Sequence, residues 1–454
     1  MQSVERPCAL VILAAGQGTR MNSDLPKVLH PLGGAPLVVH AMQAGATLAP
    51  ERTIVVVGHG GALVEKAVRA HDADAICVTQ TEQLGTGHAV QQAAGALEGF
   101  EGDVIVLYGD TPYISEDTLA RMLAARTAYD IVVLGFEAAE PGRYGRLVME
   151  GDRLARIVEA KDATPGELAI TLCNSGLMAA DATTLMGLLA EVGNDNASGE
   201  YYLTDVPAIA ATKGLTATAV TCDEAETLGI NTRAELAGAE ALFQTRKRAE
   251  AMENGATLVA PETVFFAHDT YLGRDVTVEQ NVVFGPGVTV ENDAQIRAFS
   301  HLEGCHVGAR AIVGPYARLR PGAELGNDAR IGNFVEVKSA EIGEGAKVNH
   351  LSYIGDAEIG EGSNIGAGTI TCNYDGVFKH RTTVGRDVFI GSNTMLVAPV
   401  TVGDGAMTGS GSVITSDVPA GDMALGRAKQ VNKTGLGARL MARLRAMKAS
   451  EKGQ

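Results

Sequence analysis

The sequence predicts two domains of different class, a doubly wound α/β domain followed by a parallel β-helix of hexapeptide repeats. Three observations lead there. A chain of 454 residues exceeds what one hydrophobic core usually supports. From residue 7 to about 230, short apolar runs rich in β-branched residues alternate with helical patterns, as in βαβ units around a mostly parallel sheet. Beyond that, aliphatic residues recur every six positions, a period that fits neither a helix nor a simple strand.

In the first half the expected strands are Ala9–Leu13, Thr53–Val57, Ala75–Val78, Val104–Tyr108 and Ile131–Phe136. Expected helices include Gly87–Leu97, with Ala, Val and Leu on one side, and Glu116–Ala125, for which Ser115 is a suitable N-cap. Residues 232–253 lack proline and hold many strong helix formers, and Asn254-Gly255 suits a helix end. The expected organisation is therefore a domain over 1–231, a linker helix over 232–253 and a second domain over 254–454.

The six-residue repeat starts at Leu272, Val278, Phe284, Val290, Ile296 and Leu302 and continues at Val307, Val313, Leu319, Leu325, Ile331 and Val337. It resumes at Val384, Ile390, Leu396 and Val402, passes Thr408 and ends at Ile414, with shorter steps at Leu302 to Val307 and Val337 to Ile342. Such a repeat places one aliphatic side chain per flat face and turns a corner every hexad, so three hexads make a triangular coil. Successive coils then stack about 4.8 Å apart. The segment Thr371–Thr383 breaks the repeat and is expected to leave the body as a loop, and loops ejected from solenoids tend to be functional. The basic tail Lys433–Gln454 reads either as a short helix or as disordered.

Composition excludes some functions. A net charge of −17 argues against a nucleic-acid binder, which needs a domain-scale Lys/Arg excess, so anionic substrates would require local cations. No run of eighteen apolar residues occurs, and the run Ala9 to Ala15 is flanked by Pro7 and Gly16 rather than by a cleavage pattern, so neither export nor membrane insertion is expected. Cys8, Cys77, Cys173, Cys222, Cys305 and Cys372 are scattered without metal spacing and read as reduced thiols in a cytoplasmic protein.

Leu13-Ala14-Ala15-Gly16-Gln17-Gly18-Thr19-Arg20 directly follows the first expected strand, and its small residues let a backbone approach a phosphate or base closely. The third glycine of a dinucleotide fingerprint and the Walker lysine are both missing, so taken alone the segment is equally a tight turn. Leu25-Pro26-Lys27 follows, and Arg20 and Lys27 are cations suited to phosphates. Asp110 at a strand's carboxyl end is either a turn acid or a carboxylate placed to hold Mg²⁺.

LAAGQGTRM followed by LPKVLHPLGG resembles the signature of sugar-nucleotide pyrophosphorylases. Further matches follow in order: Gln80 with Leu84-Gly85-Thr86-Gly87, Tyr108-Gly109-Asp110, Tyr144-Gly145-Arg146, Val158-Glu159, Asn174-Ser175-Gly176 and Gly229-Ile230-Asn231. With the hexad half attached, residues 7 to 430 resemble the bifunctional N-acetylglucosamine-1-phosphate uridyltransferase/glucosamine-1-phosphate acetyltransferase family. The resemblance implies a Rossmann-like nucleotidyltransferase domain, a left-handed β-helix, UTP and acetyl-CoA as co-substrates, and a product used in peptidoglycan and lipopolysaccharide synthesis. It implies that Leu13, Ala14, Ala15, Gly16, Lys27, Gln80, Gly85, Thr86, Tyr108, Gly109 and Asp110 bind the nucleotide, with Gln80, Gly85 and Thr86 reading uracil. Gly145, Glu159 and Asn174 would hold the sugar, and Asn231 would join Asp110 as a Mg²⁺ ligand. In that reaction the protein mainly aligns reactants and neutralises developing charge.

Acyl transfer from a thioester to an amine needs a base near the amine and donors near the developing oxyanion. The segment Asn349-His350-Leu351-Ser352-Tyr353-Ile354-Gly355-Asp356 places a histidine inside the repeat, and a lone histidine is often structural. By the resemblance His350 is the general base, Arg320, Lys338, Tyr353 and Asn364 bind the acceptor sugar phosphate, and Ala367, Asn373, Tyr374, Ser392, Ser410 and Arg427 contact acetyl-CoA. Cys305 and Cys372 have no neighbouring base in sequence, and direct attack by the amine needs no acyl-enzyme, so both read as structural. The family forms its acyltransferase sites between the subunits of a β-helix homotrimer. Two other readings remain open at this stage: a single-function nucleotidyltransferase with the β-helix as scaffold, or an acyltransferase with an inactive front half.

Overall fold

The structure, a computed structural model, describes residues 6–451. The chain divides into two compact units between Lys247 and Arg248, inside the helix Arg233–Glu253.

The first unit is built on a nine-stranded sheet: β1 (Cys8–Ala14), β2 (Arg52–Val57), β3 (Ile76–Thr79), β4 (Asp103–Tyr108), β5 (Ile131–Glu137), β6 (Arg146–Glu150), β7 (Arg153–Val158), β8 (Leu172–Asp181) and β9 (Ala217–Cys222). Its main path runs β9-β5-β8-β4-β1-β2-β3, with the hairpin β6/β7 attached to β8. β1 pairs parallel with both β2 and β4, and the buried run CALVILA explains why it is central. β8 lies antiparallel between β4 and β5, a strand absent from the sequence reading. Its register shift between Asn174 and Met178 shows why: Asn174-Ser175-Gly176 interrupts the apolar alternation that would mark it.

Helix Glu116–Ala125 forms as expected, and the Ser115 side chain accepts from the Thr118 N–H at 3.2 Å. The helix expected over Gly87–Leu97 instead runs Thr86–Gln91 and continues as a 3₁₀ turn at Gly95–Leu97. From Gln92 the backbone bonds shorten to three-residue spacing, as Gln92 N–H turns to Ala89 O and Ala93 N–H to Val90 O.

The second unit is a parallel β-helix. Every expected hexad aliphatic from Leu272 to Ile414 is buried, and so is Thr408. Strands two to seven residues long pair with the equivalent strand one coil on, as in Thr277↔Gln295, Gln295↔Ile312 and Ile312↔Arg330. A second periodicity accompanies the first. Two residues before many of these aliphatics sits a small buried one, such as Ala294, Ala311, Ala329 and Ala346, which lets the chain fold tightly inside the corner. At many of these corners the residue before that is left-handed, and Asp275, Asn281, Asp293 and Asp328 suit it. Phe299, Tyr316, Phe334 and Leu351 occupy the same kind of corner at φ 59, 57, 55 and 52°. The three aromatic rings stack on successive coils with centroids 4.9 and 5.3 Å apart.

The repeat also runs through the gap in the sequence reading. Val348, Ile354, Ile359 and Ile365 are core residues, so His350 stands on a regular coil. The ejected segment is shorter than Thr371–Thr383, because Ile370–Cys372 and Thr382–Val384 are strands. Thr371 is fully buried where an aliphatic would stand, and its hydroxyl donates to Gly355 O at 2.9 Å, so a polar residue fills the apolar position. The tail forms a helix, Leu436–Glu451, with Leu440, Met441, Leu444 and Met447 exposed. Among the described residues no helix is long and apolar enough to cross a membrane.

Candidate active sites

In the first unit, the parallel register brings the carboxyl ends of β1 and β4 side by side, Leu13 opposite Tyr108. Open α/β sheets bind ligands at such strand ends. The loop after β1 turns at Gly18, at φ 62°, where a Cβ would stand 2.5 Å from the Lys27 Cβ. Only glycine therefore lets the Lys27 stem pass.

The Lys27 ammonium pairs with the Asp110 carboxylate and lies 2.9 Å from Asn231 Oδ1. Ile230 N–H donates to Asp110 O at 3.0 Å, and Glu235 Oε2 accepts from Asn231 N–H at 2.7 Å, so the backbone itself fixes the cluster. Residues far apart in sequence thus aim two oxygens at one cation position. That arrangement fits Mg²⁺, which commonly takes one or two protein oxygens beside phosphate and water. Among the described residues no group of three or more His, Cys, Asp or Glu is arranged to hold a metal. Arg20 lies exposed on the turn Thr19–Met21.

Gln80 is buried, and its amide nitrogen donates to Gly85 O at 3.1 Å. Gly85 has φ 108°, and a Cβ there would meet Tyr201 O at 2.6 Å, so no other residue fits. Thr86 Oγ1 accepts from the Leu203 N–H at 3.1 Å. Gln83, which the sequence reading passed over, donates to Ala15 O at 2.7 Å and ties the two loops together.

The expected sugar residues converge. Asn174 N–H donates to Gly145 O at 2.8 Å, and a Cβ on Gly145 would lie 3.6 Å from Glu159 Oε1. Burial raises the Glu159 carboxyl above the usual range, opposed by the Thr204 hydroxyl that donates to it at 3.1 Å. Burial likewise raises the Tyr108 phenol.

In the second unit, His350 Nδ1 lies 2.9 Å from Asn333 Oδ1. An amide oxygen only accepts, so Nδ1 carries the proton and Nε2 the lone pair. Asn333 was missed in the sequence reading, and its signal is positional: it pairs directly with His350 one coil below.

His350 begins a line of site residues up one corner. Gly368 N–H donates to His350 O at 3.1 Å, Asn393 N–H to Ala367 O at 2.7 Å and Gly411 N–H to Ser392 O at 2.7 Å. Arg427 donates to Ser410 O at the line's far end. At Gly366 a Cβ would meet Ser392 N at 2.5 Å, so glycine permits the coils to stack there.

A second group gathers around Asp356, also missed. Its carboxylate accepts from Asn373 Nδ2 and stands 3.9 Å from Lys338 Nζ, while Asn373 Nδ2 lies 3.5 Å from Tyr353 Oη. Lys379 joins them, its ammonium pulled below the usual lysine range by hydrogen bonding to and repulsion from Lys338. Arg320 is paired with Glu336 at 2.8 Å. Asn364 is on a different face, since its strand belongs to the ten-stranded sheet and that of Tyr353 to the fourteen-stranded one. Tyr374 is exposed on the ejected loop.

A strand-end cation cluster on a doubly wound sheet, joined to a hexapeptide β-helix carrying an oriented corner histidine, defines a two-domain transferase. Family models agree: residues 10–172 match the MobA-like NTP transferase domain, and residues 304–339 and 381–416 match the bacterial transferase hexapeptide (six repeats). The chain is 67% identical over 448 residues to the bifunctional protein GlmU of Jannaschia sp. (strain CCS1), covering 99% of each chain. It is 68% identical to that of Ruegeria pomeroyi and 64% identical to that of Paracoccus denitrificans, covering 98% of this chain and 98% and 100% of theirs. The chain belongs to the bifunctional GlmU family. A solved UDP-glucose pyrophosphorylase complexed with UDP-glucose aligns with 53% of this chain and 99% of its own at 20% identity, with a TM-score of 0.44.

Proposed function

We propose that the β-helix acetylates glucosamine 1-phosphate from acetyl-CoA, and that the first unit then transfers UMP from UTP to N-acetylglucosamine 1-phosphate, giving UDP-N-acetylglucosamine and pyrophosphate. The observation that carries this reading is that both units of one chain hold an equipped site, Lys27 with Asp110 and Asn231 in one and His350 with Asn333 in the other.

In acetyl transfer, His350 Nε2 accepts a proton from the attacking amine as its nitrogen bonds to the thioester carbonyl carbon. The C–S bond then breaks and CoA leaves as the thiol. Lys338 and Arg320, with Lys379 beside them, supply the cations that the acceptor phosphate requires in an acidic protein. The corner line from Ala367 through Ser392 and Ser410 to Arg427 is the acetyl-CoA track.

In uridylyl transfer, a phosphate oxygen of the sugar attacks the α-phosphorus of UTP and pyrophosphate leaves. Gly145, Glu159 and Asn174 hold the sugar, and Gln80, Gly85 and Thr86 hold the base. Lys27 and Arg20 neutralise phosphate charge. Asp110 and Asn231 would hold Mg²⁺, which when bound offsets charge on the phosphates.

We place the enzyme in the cytoplasm, a reading supported by six free thiols among the described residues. The working form is a homotrimer. The split of Asn364 from Lys338 and Tyr353 onto different faces supports an acetyl-transfer site completed by a neighbouring copy.

The test gives wild-type and His350→Ala protein glucosamine 1-phosphate, acetyl-CoA, UTP and Mg²⁺, and follows CoA thiol and pyrophosphate separately, with N-acetylglucosamine 1-phosphate in a parallel run. Wild type releases both products, and the variant loses thiol release while still making pyrophosphate in the parallel run. Absence of thiol release from wild type would reduce the β-helix to a scaffold.

A further inference from the structure

Arg146 opens β6 and is buried, 2% exposed. Its register places it between Cys173 of β8 and Val158 of β7. The residue before it is Gly145 and the residues after those two are Asn174 and Glu159, so Arg146 underlies the three residues expected to hold the sugar. A buried guanidinium ordinarily meets a carboxylate. This one donates to main-chain carbonyls instead: Nη1 to Tyr144 O and to Pro141 O at 3.3 Å, Nη2 to Gly142 O at 3.3 Å and to Leu168 O at 3.5 Å. Among the described residues its Nε finds no acceptor.

Three of those four carbonyls belong to the loop Pro141–Tyr144, which is curled round the cation with Gly142 at φ 43° and Arg143 exposed. A planar fork with several donors can gather converging carbonyls, and an apolar side chain of the same length would leave them without partners. The loop ends at Gly145, whose carbonyl accepts from Asn174 N–H at 2.8 Å. We infer that Arg146 is a positioning residue for the acceptor sugar: by gathering the carbonyls of Pro141, Gly142 and Tyr144 it fixes the loop that delivers Gly145 to Asn174 and Glu159. The inference rests on the reading that Gly145, Glu159 and Asn174 hold the sugar. Arg146 acts through the loop and has no contact with substrate of its own.

The experiment uses the full chain and measures kcat, the KM for N-acetylglucosamine 1-phosphate and the KM for UTP, together with the rate at which trypsin cuts after Arg143, followed by mass spectrometry. Arg146→Met raises the sugar phosphate KM by about tenfold or more, leaves the UTP KM within about twofold, and speeds cleavage after Arg143 several-fold. Arg146→Lys keeps the charge and three donors without the fork, and lies between wild type and Arg146→Met in both readouts; it carries the same comparison if the methionine variant does not fold. A rise of both KM values together would mean general damage and would overturn a role confined to the sugar. A raised sugar phosphate KM without faster cleavage would overturn the action through the loop. Asn174→Ala is run beside them. If it keeps the wild-type sugar phosphate KM, the sugar is held elsewhere and the underlying reading falls. If it raises that KM while Arg146→Met leaves it unchanged, the sugar contact stands and the role assigned here to Arg146 is overturned.

Discussion

His350 donates from Nδ1 to Oδ1 of Asn333 at 2.9 Å, one coil of the β-helix below it. The bond selects the tautomer that leaves Nε2 unprotonated, so Asn333 prepares the base without touching the amine.

Asn333→Ala is therefore expected to slow thiol release by about ten- to a hundredfold, less than the hundredfold or more expected for His350→Ala. Pyrophosphate release from N-acetylglucosamine 1-phosphate and UTP stays unchanged. Asn333→Asp keeps an acceptor and retains most of the activity. Equal thiol release by Asn333→Ala and wild type would remove Asn333 from the mechanism.

The cluster of Lys27, Asp110 and Asn231 makes a second expectation. Asp110→Asn removes the carboxylate that pairs with Lys27 and is expected to lower pyrophosphate release by about a hundredfold or more. Chelation by EDTA does the same to wild type, and neither treatment affects thiol release in the β-helix. Loss of thiol release on chelation would show that acetyl transfer also needs the metal.

The ejected loop is ordered by Asp375, which accepts from His380 Nε2 at 2.7 Å and from the Val377 and Phe378 N–H groups at 2.8 and 2.7 Å. His380 first, then those backbone donors, hold the Asp375 carboxyl down at about 2. A depressed acid favours the folded loop above its unfolded value and loses that support only as pH falls through about 2. Between pH 5 and 8 the loop is expected to keep one conformation, so the KM for acetyl-CoA carries no contribution from this carboxyl there. Asp375→Asn raises that KM several-fold at every pH in the range, while the KM for UTP does not move.

Cys305 is buried, and burial pushes its thiol up to about 12. A thiol so held is not a nucleophile at neutral pH. Cys305→Ala is expected to release CoA at the wild-type rate, and no acetyl group is found on the protein by mass spectrometry after acetyl-CoA is supplied without an acceptor. An acetylated cysteine would replace direct transfer with a two-step route.

Much of the fold was legible in the sequence because its signals are local and periodic. The hexad aliphatics were readable since each coil repeats the same burial, and β1, β2 and β4 since each contains a continuous apolar run. The hexads at Val348, Ile354, Ile359 and Ile365 follow the same rule but stand beside Thr371, a polar residue satisfied inside the core, which hid the continuity. β8 was hidden by its irregular Asn174-Ser175-Gly176 segment.

The sequence alone determined which residue types were available for chemistry: cations in the loop after β1, a carboxylate after β4 and a histidine on a coil. It did not determine their partners. Lys27 meets Asn231 only because the segment before the helix Arg233–Glu253 returns to the end of β4, and His350 meets Asn333 only because the coil length puts one above the other. Periodicity reports which side chains leave water, a property each residue shows through its neighbours in sequence. Register between distant segments is set by how whole elements stack, and that only the tertiary structure decided.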